Sequence, residues 1–183
     1  MKKMSNLLTV AVAAMGLLGA VAAHADDSKR TVGEYTDDKV LHTKVWAALT
    51  EDKTAEASEI NLEVYKGVVQ LNGFVDNAKE KAQAEAVAKA VTGVKGVENN
   101  LTIKQAGQTT GGAIDDSTIS AKVKSALIDS SDTKAHDIKV ETRGGVVQLS
   151  GFVSSEAQKS AATKVAQSVE GVKAVKNSIS IKN

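Results

Sequence analysis

Apolar residues recur at helical spacing at Leu41, Val45, Ala48 and Leu49, and then alternate with polar ones at Ile60, Leu62 and Val64. The first pattern predicts a helix and the second a strand. Lys66-Gly67 reads as a tight turn. The phrase GVVQLNGFV that follows, residues 67–75, alternates again. Val69, Leu71, Gly73 and Val75 fall on one face, and Val68, Gln70, Asn72 and Phe74 on the other. Asn77 and Glu80 have the spacing of a capping box. They open a second helix with an apolar stripe at Ala84, Val87, Ala88 and Val91. Gly93 stands at its C′ position, followed by a valine that can close the cap. Val97, Leu101 and Ile103 make a last strand. The predicted order is α-β-β-α-β.

The same order is then spelled out again. Residues 37–104 align with 115–182 without a gap, and 29 of the 68 pairs are identical, 20 of them between Gly67 and Lys104. GVVQLSGFV, residues 145–153, differs from its twin at one position. Ile119, Val123, Ala126 and Leu127 repeat the first helix, and Gly144-Gly145 the turn. Ser155 with Gln158 repeats the capping box, Gly171 the helix stop, and Val175, Ile179 and Ile181 the last strand. A match of that extent means two copies of one small domain. Asp37-Asp38 and Asp115-Asp116 read as acidic caps at the start of each first helix. Gly73 and Gly151 fall on the core face of the central strand, where a side chain would push the covering helix away.

At these residues the chain resembles the BON domain family, whose pattern is a helix, a hairpin with a second strand like GVVQLNGFV, and a helix ending in a phrase like GVKGVENNLTI (93–103). A leader followed by two such copies is similar to the osmotically inducible periplasmic protein Y family. The resemblance implies an α/β (α+β sandwich) fold: two tandem α-β-β-α-β BON domains, each a three-stranded mixed sheet with both helices on one face. It implies a place in the cell envelope under osmotic or related stress, through contact with phospholipid or with envelope proteins. It also implies chaperone-like activity toward exported proteins as an alternative.

The N-terminus fits export. Lys2 and Lys3 precede an apolar run from Leu7 to Ala22, and Ala23-His24-Ala25 presents small residues just before Asp26. That order is a secretory signal, cleaved between Ala25 and Asp26. The expected organisation is a signal peptide at 1–25, a first BON domain at 35–104, a linker at 105–113 and a second BON domain at 114–183. The linker, QAGQTTGGA, has Gly and Thr without Pro and reads as flexible. The expected location is periplasmic and soluble, with the leader removed. The full chain carries 23 Lys and Arg against 22 Asp and Glu. Losing Lys2 and Lys3 takes the formal charge from +1 to −1, so no global attraction to nucleic acid is expected. There is no Cys and no Pro, hence no disulfide and no slow prolyl step. Aromatics make up only 3% of the chain, which leaves the cores to Val, Ile, Leu and Ala.

Little in the chain points to catalysis. His42 aligns with Ser120 and His136 with Ser58, so neither is repeated by the twin. No His or Cys cluster has metal-ligand spacing, and two helices on three short strands fill their own interior. Neither enzyme activity, nor a metal, cofactor or small-molecule substrate is expected. Surfaces remain. The sheet face bearing Phe74, and its twin bearing Phe152, reads either as a solvated face or as a contact between the two domains or with a peptide. The other candidate is the first helix. Lys39, His42 and Trp46 share a flank about 100° from the core stripe. An amphipathic ring beside cations suits an anionic phospholipid surface, while a Trp covering a helix edge is the competing reading. Lys122, Lys124 and Ile128 are the matching set on the second copy. The resemblance implies that this second set makes the lipid contact, although it offers no aromatic. The expected partners are anionic phospholipid or envelope proteins.

Overall fold

The computed structural model describes residues 31–55, 57–104 and 110–182, with the side chains of 110–114 left out. The leader, its cleavage site at Ala25-Asp26 and residues 105–109 of the linker lie outside the described residues. The first copy runs α1 (Val32–Glu51), a 3-10 turn (Ala57–Glu59), β1 (Ile60–Tyr65), β2 (Val68–Val75), α2 (Ala78–Ala90), β3 (Gly96–Asn99) and β4 (Thr102–Ile103). The second runs α3 (Thr110–Asp129), a 3-10 turn (Ala135–Asp137), β5 (Ile138–Arg143), β6 (Val146–Val153), α4 (Glu156–Gln167) and β7 (Ala174–Ile181).

In each copy the hairpin is antiparallel and the last strand joins it in parallel, so the long second strand is central. The fold is therefore α+β, with two mixed sheets. The last strand of the first copy is interrupted at Asn100-Leu101, whereas β7 runs unbroken. Leu41, Val45 and Leu49 of α1 and Ala84 and Ala88 of α2 bury against Ile60, Leu62, Val69, Leu71, Val75 and Leu101. The second core repeats this with Ile119, Val123, Leu127, Ala162 and Ala166 over Ile138, Val140, Val147, Leu149, Val153 and Ile179. Alanine on α2 and α4 lets those helices lie close to the sheet. Larger residues on α1 and α3 fill the remaining depth.

The helix starts differ from expectation. Thr31 caps α1 in a capping box with Glu34, so Asp37 and Asp38 lie more than a turn inside the helix. Asp38 is buried, and its carboxylate accepts the N–H groups of Lys66 and Gly67 at 2.7 and 2.9 Å. Asp116 does the same for Gly144 and Gly145 at 2.7 and 2.8 Å. All four turn residues have positive φ, the two-residue hairpin geometry that twists with its strands. That geometry leaves neighbouring N–H groups pointing the same way, and the aspartate takes both. α3 likewise begins at Thr110, inside the segment expected to be a linker.

Two glycine expectations also change. A Cβ on Gly73 would sit 2.1 Å from the carbonyl oxygen of Glu59, and one on Gly151 2.1 Å from that of Asp137. The close approach is therefore backbone to backbone at the entry of the neighbouring strand, not helix to sheet. Gly93 and Gly171 adopt positive φ, but two and three residues beyond the caps at Val91 and Ser168. There they close an extra turn before the last strand, with Val94 N–H bonded to Val91 O and Val172 N–H to Val169 O.

Candidate interaction surfaces

The second strand is buried on both faces, which a lone sheet with helices on one side does not require. Gln70, Asn72 and Phe74 of β2, and Gln148 and Ser150 of β6, are as inaccessible as the core. The covering layer is the other copy. The Gln148 side-chain oxygen accepts the Gly73 N–H at 2.7 Å, and the Gln70 oxygen accepts the Gly151 N–H at 2.8 Å. The amide nitrogens complete the exchange. Gln148 donates to the Asn100 carbonyl and Gln70 to the Ser178 carbonyl, both at 2.8 Å. Gln70 and Gln148 are twins, as are Gly73 and Gly151 and as are Asn100 and Ser178. The bonds are thus reciprocal, and the two sheets meet about a local pseudo-two-fold.

Around this centre the contacts are not symmetric. The Tyr65 ring stacks on Phe152 with centroids 5.3 Å apart. The twin of Tyr65 is Arg143, whose guanidinium pairs with Glu59 at 2.7 Å. Lys139 lies 3.6 Å from Glu63. Lys176 donates to the Asn100 carbonyl and the Thr102 hydroxyl, and Ser180 donates to Glu98 at 2.6 Å. Burial alone would raise the Glu59 carboxyl. Hydrogen bonds and charge from Lys104 and Arg143 outweigh it and hold the group below the ordinary carboxylate range. Burial, with a smaller contribution from the Lys81 charge, pushes Lys176 down. The glutamines were the residues missed in the sequence. The available signal was a polar side chain in mid-strand, identical in both copies.

Phe74 and Phe152 accordingly sit in the seam between the sheets. The residues of the first helices are divided. His42 is half-buried, with its Nε2 3.2 Å from the Leu62 carbonyl on the outer edge of β1. Trp46 is 40% exposed, Tyr35 45% and Val32 86%. Val32, Tyr35, Lys39 and Trp46 lie three, four and seven residues apart along one flank of α1, with the Lys39 ammonium 5.3 Å from the Tyr35 ring centroid. On α3, Lys122 pairs with Glu170 at 3.3 Å, and Ile128 is 71% exposed. Lys124 borders a groove of about 380 Å³ with Ser117, Ser120, Val140, Thr142 and Arg143. The flank that carries His42 and Trp46 in the first copy is here lined by smaller hydroxyls and a lysine.

Among the described residues, no group of His, Asp and Glu could hold a metal ion, and no helix is long and apolar enough to cross a membrane. The class defined is a pair of small α+β domains sealed sheet to sheet. Family comparison agrees: the BON domain model matches residues 37–105 and 115–183. The chain belongs to the BON domain family. It is 38% identical over 159 residues to osmotically-inducible protein Y of Escherichia coli, covering 86% of this chain and 79% of that protein. It is 36% identical over 183 residues to outer membrane lipoprotein DolP of Haemophilus influenzae, covering 96% and 93%. A 21 kDa hemolysin of Actinobacillus pleuropneumoniae matches at 35% over 159 residues, covering 83% and 80%.

Proposed function

We propose that the chain is a non-enzymatic protein of the cell envelope, active under osmotic or related stress, that binds anionic phospholipid surfaces and supports envelope integrity. The names of two relatives, one an osmotically inducible protein and one an outer membrane lipoprotein, support the location and the setting. The lipid reading rests on one observation: Val32, Tyr35 and Trp46 stand exposed on one flank of α1 beside Lys39. Aromatic rings with a polar edge settle at headgroup depth, and a cation beside them adds attraction to anionic lipid. His42 contributes less, because its ring is committed to the β1 edge.

Trp46 is the only tryptophan, so its emission reports on this flank alone. Vesicles of phosphatidylglycerol should pull the protein down and shift its emission to the blue, while phosphatidylcholine alone should do neither. Salt should reverse the binding, and Lys39→Glu or Trp46→Ser should weaken it. Pelleting without an emission shift would move the contact to Lys122, Lys124 and Ile128. Absence of both effects with every vesicle would overturn the reading.

A second reading, a chaperone-like module for exported proteins, is favoured by the seam. Separation of the copies would uncover Tyr65, Phe74 and Phe152 on faces whose strand centres are already polar enough to hydrogen-bond a peptide. Such binding would persist in high salt, where apolar contacts strengthen, and suppression of client aggregation would measure it.

A further inference from the structure

We propose that the sheet face of each copy is also a docking surface for a second chain, so that two chains exchange copies into a reciprocal dimer. The partner is specific: the first-copy face takes the second-copy face of another molecule. The argument begins with the seam. Its central bonds, Gln70 to Gly151 and Gln148 to Gly73, run between faces, and none of them depends on the two faces sharing one chain. The flanking ion pairs set the choice of partner. Glu59 and Glu63 of the first copy meet Arg143 and Lys139 of the second. Two first copies would lose these pairs, because Tyr65 and Asn61 stand where Arg143 and Lys139 stand in the twin.

Every contact of the closed chain is therefore available between chains. What favours closure is the tether, which holds the two faces together at roughly millimolar effective concentration. Remove that advantage, or approach that concentration, and the same patch joins two molecules. Exchange of identical elements through an unchanged interface is a low-cost route to a dimer. On the membrane reading above, which this inference does not need, the dimer carries two Trp46 flanks.

The ion pairs supply the test. One chain carries Glu59→Arg with Glu63→Lys, and a second carries Lys139→Glu with Arg143→Glu. Each variant opposes like charges across its own seam. When the two are mixed, the basic first copy of one chain matches the acidic second copy of the other, and the remaining two faces are an unaltered acidic first copy and an unaltered basic second copy. Pairing faces in the other sense restores the native acid-base match as well, so both seams of the mixed dimer are complementary. Expected are single-chain mass and a lowered melting temperature for each variant alone, and, on mixing, doubled mass with recovered melting. Folded variants that stay at single-chain mass when mixed overturn the proposal. Should either variant fail to fold, the unaltered seam is tested instead. The chain lacks cysteine, so Ser160→Cys on the exposed side of α4 gives one label site. Donor- and acceptor-labelled halves are unfolded together and refolded at about 1 mM and about 1 μM. Energy transfer at the higher concentration alone supports exchange; no transfer at either overturns it.

Discussion

Gln148→Leu removes one arm of the reciprocal exchange without changing side-chain size much. Its oxygen holds the Gly73 N–H at 2.7 Å and its nitrogen reaches the Asn100 carbonyl at 2.8 Å, with the residue 1% exposed. After substitution the Asn100 carbonyl keeps Lys176 at 2.9 Å, but the Gly73 N–H has no acceptor. An orphaned buried donor costs about 1–3 kcal/mol, and the extra carbon buried by leucine offsets part of that. The expected loss is about 2 kcal/mol, or about 4–8 °C in melting temperature at ~2–4 °C per kcal/mol for a chain of this size. Gln70→Leu should cost more, about 3 kcal/mol, because it orphans the Gly151 N–H and strips donors from the Ser178 carbonyl and Glu98 together. Both substitutions act on one seam. The double variant should therefore lose about 1 kcal/mol less than the sum, since a separated seam has nothing further to lose. Urea and thermal denaturation followed by circular dichroism give the energies, and amide exchange at Gly73 and Gly151 localises them. Losses below about 0.5 kcal/mol with both amides still protected would refute the assignment of the seam.

Other consequences are equally direct. Gly73→Ala, with φ at +116° and a Cβ 2.1 Å from the Glu59 oxygen, should cost more than about 3 kcal/mol and leave the first copy unfolded near 37 °C by circular dichroism, as should Gly151→Ala in the second. Asp116→Ala should cost about 2–4 kcal/mol by orphaning two turn N–H groups, whereas a charge-only role as a helix cap would cost about 1; urea titration separates the two. Glu59 is held below its ordinary range in the folded chain, so its contribution is complete above the unfolded value near 4.5 and is lost as pH falls through the lower folded value. Because its partner Arg143 belongs to the other copy, acid below about pH 4 should loosen the seam before the cores, seen as earlier exchange at Gly73 and Gly151 than at Val69 or Val147.

Pattern alone reached the repeat, the element order and the tight turns, because each depends on residues near one another in sequence. Alternation in β2 and the stripe on α2 are local statements, and local chemistry decided them. The aspartates were misread for the opposite reason. Asp38 looks like a cap because it is acidic and precedes an apolar stripe, yet its partners are Lys66 and Gly67, 28 and 29 residues away. A clue existed: Asp38 and Asp116 are kept in both copies, as is a turn with two positive φ angles that leaves adjacent N–H groups unsatisfied. The seam was less legible still. A face carrying Gln, Asn and Phe fits water as well as a second sheet. Only the partner's glycine N–H groups, at the positive-φ positions Gly73 and Gly151, distinguish the two.

The distribution of identities between the copies follows from the same geometry. β2 and β6 face a core on one side and the seam on the other, so a change at Val69 or Gln70 meets close-packed neighbours either way. The last strand is similarly placed: Leu101 and Ile179 enter the cores, while Asn100 and Ser178 offer carbonyls to the opposite glutamines. Twenty of the 29 identities lie between Gly67 and Lys104, and 15 of those fall at 67–75 and 93–104, the central strand and the approach to and course of the last one. The first helices bury only one stripe. Leu41, Val45 and Leu49 have apolar twins, but the outward flank changes from His42 and Trp46 to Ser120 and Lys124 without disturbing either core or seam. Divergence is therefore cheapest on that flank. A difference in role between the two copies is expected there, with an aromatic surface on the first and a polar groove on the second.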